Sequence, residues 1–416
     1  MRWIDIPLPP HGTCQETDRL LDEAQAMVAS IPDLQERHGL DASAVTQIME
    51  QVGKTLFQAV TADNAEAFHP DLDRDGCQTP DASNNALVGY HIVADSQQIG
   101  LPWHWLHNGV APLLEKHPVT VAEHGSRVPE LDPPRIWMQR HSNALFADDQ
   151  ESHLDRDRPE ILFVPGHGRE EIRRLMFREA EGIDEALDSA VTGLARLRIP
   201  GAVTPGLLAS RAMLYQALHF AAPTSQPPEI SGAGENRWLA GLMAGAGAGA
   251  GVADAETVDN LVGLDMEILG VDPVEAALDQ AMESYVNRPA SVPKTVVATA
   301  QNAWLLEDGP VLPENLGRDS CLPPLVFSNS WCSLGWLGRR FLDAGASTFV
   351  GTAVPLFSRP ARRFAAHFYG ALGDGYCAGV AHQRAALSLR DQLGMDHPAW
   401  LCHGVQGFGS LRLADL

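Results

Sequence analysis

Apolar positions along this chain recur with two periods, and each change of period marks a new element. Residues 16–31 and 42–61 carry apolar side chains at i, i+3, i+4 and i+7, which predicts two amphipathic helices. A turn-rich connection follows from about Phe68 to Asn85. LVGYHIVAD (87–95) then predicts a strand, followed by IGLPWHWLHN and a second apolar segment near Val119–Ala122. Residues 143–158 are polar and acidic, as a linker between two lobes would be.

From Pro159 strands and helices alternate. ILFVPG (161–166) is a continuous apolar run closed by Pro-Gly, the mark of a strand buried on both faces. A long helical stretch, REEIRRLMFREAEGIDEALDSAV, comes next. LYQALHFAA (214–222) fits strand or helix by periodicity, and its place in the alternation favours strand. TVVATA, LVFSNS and STFVGT follow as strands, with helices around 335–344, 359–372 and 377–393. Such alternation predicts an α/β fold with a mostly parallel sheet covered on both faces. Residues 223–303 stand outside the scheme as an insertion. In it Gly245–Gly251 offers little side chain to bury and reads as a mobile loop, while 254–285 looks helical.

Composition narrows the function classes. Lys+Arg 30 against Asp+Glu 53 gives a net charge of −23, which argues against binding nucleic acid or an anionic membrane. The start MRWIDIPLPPHG lacks the apolar core of a signal peptide, and no window is apolar enough to span a bilayer. Six cysteines without a CxxC pair suit reduced thiols, hence a cytoplasmic location. No cofactor motif is visible. Asp71, Asp73 and Asp75 stand at alternate positions before a glycine, as in a calcium loop. Pro80 and Ala82 spoil the pattern, so an acidic turn is the stronger expectation.

The richest chemistry lies in PPLVFSNSWCSLGWLGRRFLDAGASTFVGT (323–352), where Cys332 occupies a polar turn after a buried strand. Open α/β sheets place their chemistry at such carboxyl ends. A nucleophilic thiol also needs an imidazole to ionise it. His219 lies four residues before Pro223, about 13 Å back along a strand from the sheet edge, and reads as a core histidine bonded to backbone. His167, in PGHG, does end a strand, though a different one. Trp103, Trp105 and Trp304 read as packing between lobes, and Arg339, Arg340, Arg362 and Arg363 as solvated helix faces.

The order of these pieces resembles the CHAT family of caspase-like domains, found in bacteria beside helical repeats. MEQVGKTLFQAV is similar to its lead-in helix, and HIVADSQQIGLPWHWLHNGVAPLLEKHPVTVA to its opening strands. ILFVPGHG, EAEGIDEAL and LYQALHFAAPT resemble the next two strands and the histidine-bearing turn. PPLVFSNSWCS resembles the cysteine strand, and RRFAAHFYGAL with PAWLCHGVQGFGSLRL the closing helices. The likeness runs from about residue 42 onward, interrupted by 223–303.

It implies a caspase-like three-layer sandwich preceded by a smaller α/β lobe and N-terminal helices. The boundaries are 1–66 for the helical lead-in, 67–158 for the N-terminal lobe and linker, and 159–416 for the C-terminal lobe. It also implies a cysteine-histidine dyad, with HFAxHG and NAC as its motifs. Here Pro223 stands at the base position and Trp331 at the nucleophile position, with Cys332 one place later. One residue of slip turns a side chain to the other face of a strand. Two expectations follow. The first is a pseudo-peptidase acting through protein contacts as regulator or scaffold. The second is a cysteine endopeptidase using Cys332 with a displaced histidine on a protein substrate.

Overall fold

The computed structural model describes residues 2–38, 43–64, 88–124, 159–165, 170–191, 195–198, 217–221, 224–225, 303–306, 309–311, 322–330, 332–354, 356 and 358–413. In chain order the strands of its main sheet are β1 (Arg2–Pro7), β2 (Val88–Ala94), β3 (Val119–Glu123), β4 (Glu160–Val164), β5 (Arg196–Arg198) and β6 (Ala217–Phe220). A small second sheet holds β7 (Thr224–Ser225), β8 (Ala303–Leu306) and β9 (Gly309–Val311). The main sheet resumes with β10 (Leu325–Ser328), β11 (Thr348–Thr352) and β12 (His403–Gly407). The helices are α1 (Gln15–His38), α2 (Ser43–Asn64), α3 (Glu170–Asp188), α4 (Trp336–Asp343), α5 (Ser358–Gly373) and α6 (Ala378–Leu393).

The nine strands lie in the order β1-β2-β3-β12-β11-β10-β6-β4-β5. Every neighbouring pair is parallel except β11 and β12. The sheet is therefore two parallel blocks running in opposite directions, joined where β12 lies between β3 and β11. The stretches 1–66, 67–158 and 159–416 all contribute strands to it.

Burial explains the elements. Every residue of β4, β6, β10 and β11 is buried, as a strand covered on both faces requires. On one face Phe163, His219 and Phe327 stack on one another under α3 and α5. On the other, Leu218, Val326 and Phe349 pack against Phe341 of α4. In α2 the buried set Val45, Met49, Val52, Leu56 and Val60 follows the helical period read from the sequence. These layers make a mixed α/β sandwich around a mostly parallel sheet.

Three elements differ from the sequence reading. RWIDIP, placed with the helical lead-in, forms edge strand β1. The PAWLCHGVQGFGSLRL segment, grouped with closing helices, gives strand β12 at HGVQG, whose two glycines and glutamine carry little intrinsic strand preference. Pairing on both sides overrides that weak preference. Finally, β7 pairs antiparallel with β8, Thr224 opposite Trp304, so the two ends of the 223–303 insertion are fastened together. TVVATA, Gly245–Gly251 and the helical pieces of 254–285 lie outside the described residues.

Candidate functional site

The turn after β10 is held to the end of β11 by hydroxyl groups. Ser333 Oγ donates to the Ser328 carbonyl at 3.1 Å and accepts from the Thr352 backbone N–H at 3.1 Å. Thr352 Oγ1 donates to the Ser330 carbonyl at 2.7 Å, and the Leu334 N–H donates to the Thr352 carbonyl at 2.9 Å. Between these anchors Cys332 takes φ = 52°, the only positive φ of a non-glycine residue among those described. The left-handed conformation costs an L-residue about 1–2 kcal/mol, so the surrounding bonds must impose it.

Cys332 sits at the carboxyl end of a buried strand, where the sequence placed it, and it is half-buried. Desolvation pushes its thiol up to about 12. Cys402, just before β12, is fully buried; desolvation first and Cys332 second push its thiol higher still. Among the described residues no imidazole makes a hydrogen bond to either sulfur; Cys402 Sγ instead donates to the Pro398 carbonyl at 3.5 Å.

Beneath the turn lies a buried polar chain. Asn329 Nδ2 donates to Glu179 Oε1 of α3 at 2.5 Å and to the Ala361 carbonyl of α5 at 3.2 Å. Its Oδ1 accepts from His403 Nε2 at 2.8 Å. Glu179 Oε1 also accepts from His219 Nε2 at 2.6 Å, and His219 Nδ1 lies 3.2 Å from Tyr369 Oη. Burial, and then the Glu179 carboxylate, hold the Tyr369 phenol well above its ordinary value. His219 is thus the core histidine expected, but its partners are side chains and not backbone. Phe163 and Phe327 sandwich its ring at 5.2 and 4.8 Å.

His403 continues into a second buried group. His382 Nε2 on α6 donates to the His403 carbonyl at 2.8 Å, and His104 Nε2 donates to the Leu401 carbonyl at 2.8 Å. Trp105 Nε1 donates to that same carbonyl at 2.5 Å, while Trp103 Nε1 donates to Gln98 O at 3.0 Å. Both tryptophans are buried; Trp105 reaches from the 67–158 stretch to Leu401, whereas the Trp103 bond stays within that stretch. Arg339 is not simply a solvated cation. It reaches from α4 to Glu123 Oε1 at 3.3 Å and the Ser96 carbonyl at 3.2 Å, pinning α4 to the N-terminal block.

His167, Pro223, Trp331 and the carboxylates Asp71, Asp73 and Asp75 lie outside the described residues. Among the described residues no cluster of three His, Cys, Asp or Glu side chains could hold a metal, and no helix is long and apolar enough to cross a membrane. Sequence reasoning missed Glu179, Asn329 as a linking residue, His382, His403 and His104. Glu179 carried a readable signal. Met176, Ala180, Ile183 and Leu187 form the buried stripe of α3, and a carboxylate three residues after Met176 falls inside it. A charge in an apolar stripe demands a buried partner.

No protein-family model and no curated protein matches this chain. Solved structures similar to it include the following two. One, described as "Structure of Protease", shares 9% identity at a TM-score of 0.43, covering 98% of this chain and 78% of that one. The other, the complex of Porphyromonas gingivalis RgpB pro- and mature domains, shares 10% identity at a TM-score of 0.40, covering 99% of this chain and 79% of that one.

Proposed function

We propose that this chain is a caspase-like protein of the CHAT type that acts through protein contacts, as a regulator or scaffold, without hydrolysing peptide bonds. The observation that carries this reading is the pairing around Cys332. Its thiol is desolvated and held up to about 12, and the imidazoles of the neighbouring strands are bonded elsewhere. His219 serves Glu179, His403 serves Asn329, and His382 and His104 serve carbonyl oxygens. A thiol in that state offers almost no thiolate at neutral pH, so acyl transfer lacks its nucleophile.

One observation favours a second reading, a cysteine endopeptidase using Cys332. A left-handed residue at the mouth of a buried strand is the kind of strain that functional turns hold. For that chemistry an imidazole would have to take the thiol proton and later pass it to the leaving amine.

A peptide bearing a thiol-directed electrophile separates the two. With a non-catalytic Cys332, labelling is slow at neutral pH and climbs through the alkaline range without a plateau. Rapid labelling that saturates near neutrality and disappears in Cys332→Ala would establish the peptidase reading instead.

A further inference from the structure

His104, His382 and His403 come from three elements: the crossover segment after β2, helix α6 and strand β12. All three are buried, at 3%, 0% and 0% exposure. The rings of His104 and His382 stand 5.9 Å apart, and His403 stacks on Phe364 at 3.8 Å. Each Nε2 faces an oxygen that can only accept: the Leu401 carbonyl, the His403 carbonyl and Asn329 Oδ1. Asn329 Oδ1 is fixed as an acceptor because its Nδ2 donates to Glu179 and Ala361. Each ring is therefore the neutral Nε2–H tautomer, and any further proton must go on Nδ1. For His382 and His403, Nδ1 is buried without a partner among the described residues.

We propose that these three imidazoles form an acid-sensitive latch: protonation releases the crossover segment 99–107 from β12 and opens the mouth beside the β10 turn. Three contacts place the latch there. The crossover segment lies along β12, with Gln406 Nε2 donating to the Ile99 carbonyl at 2.9 Å and the His104 ring packed on Gly404. Beyond it, the Leu401 carbonyl takes both the His104 and Trp105 donors. Once charged, the His104 and His382 rings repel each other across 5.9 Å, and the new Nδ1–H groups of His382 and His403 have no acceptor among the described residues.

The other ionisable groups around the cluster do little to offset that charge. Cys402 precedes β12, Cys332 lies in the β10 turn and Tyr369 on α5, and burial favours the neutral form of each. His219 of β6 is engaged by Glu179 at 2.6 Å. Glu179 of α3 reaches the cluster only through Asn329 and already serves His219. On the outer side, Glu115 lies 3.4 Å from Arg390. The proposal does not depend on whether Cys332 is reactive.

The test is limited proteolysis and hydrogen exchange on the full chain across pH. Opening coupled to proton uptake raises the open fraction about tenfold per pH unit for each proton bound. Exchange in 99–107 and 401–405, taken relative to the free-peptide rate at the same pH, should therefore rise by about a hundredfold or more per pH unit well below about pH 6.5, while α3 and β4 stay protected. His382→Gln and His403→Gln keep a donor near the Nε2 position and cannot titrate, so each should remove about one decade from that slope. An unchanged slope in both variants, or no opening on acidification, overturns the latch. Should the variants fail to fold, ring-nitrogen NMR of the unaltered chain decides. Neutral Nε2–H rings that titrate together with the opening support it, and independent titration in a closed chain refutes it.

Discussion

Asn329 Oδ1 accepts a hydrogen bond from His403 Nε2 at 2.8 Å, joining the turn after β10 to the strand at which the sheet reverses direction. The same amide holds Glu179 and the Ala361 carbonyl, so one side chain ties α3, α5, β10 and β12 together.

Removing that amide should expose its value. Asn329→Ala leaves the Glu179 carboxylate with His219 alone and His403 Nε2 without an acceptor. The expected loss is about 2–4 kcal/mol in denaturant unfolding. Asn329→Asp sets a second carboxylate against Glu179, and its deficit relative to the unaltered chain should be larger at pH 8 than at pH 5. A loss in the alanine variant below about 0.5 kcal/mol would show that water replaces the whole network.

Stability should fall on the acid side. Burial holds His104 down to about 3 and His382 down to about 4, and it holds His403 well below the ordinary 6.5, with His382, His104 and His219 adding to it. A folded value below the unfolded one means the unfolded chain binds protons first. The stabilisation is then whole above about 6.5 and is lost as pH drops, at about 1.4 kcal/mol per pH unit for each histidine. Urea midpoints flat from pH 7 to 9 and declining below are expected. A midpoint that rises on acidification contradicts the assignment.

Cys332→Gly should stabilise the chain by about 1 kcal/mol or leave it unchanged, because glycine adopts φ = 52° without the Cβ penalty. Thermal unfolding measures this directly. A clear loss would mean that the thiol packs better than its half-burial suggests.

Gly404→Ala tests the close approach of the crossover segment. A Cβ there meets the His104 imidazole, so strand or segment must shift, at a cost of about 1–3 kcal/mol. Pairing Gly404→Ala with His104→Ala should recover part of that loss.

The elements with strong patterns were legible from the residues alone. ILFV, LVFS and TFVGT announce strands by continuous apolar character, and α2 announces itself by period. The turn carrying Cys332 could be placed by the same reasoning. HGVQG could not, because its strand identity comes from two flanking strands and not from its own side chains. The polar chain under the turn was equally hidden. Glu179 and Asn329 lie 150 residues apart, and only the folded packing of α3 against the sheet brings them into contact. Glu179 alone betrayed itself, by interrupting an apolar stripe.

The strand that joins the two blocks of the sheet is the last of the nine in chain order. On a ribosome the β1-β2-β3 ribbon and the β11-β10-β6-β4-β5 ribbon must both wait, each with a raw edge, until His403–Gly407 emerges to bridge them. Such late closure leaves two unpaired strand edges open to mispairing throughout synthesis, and a premature stop before residue 403 would leave them unbridged.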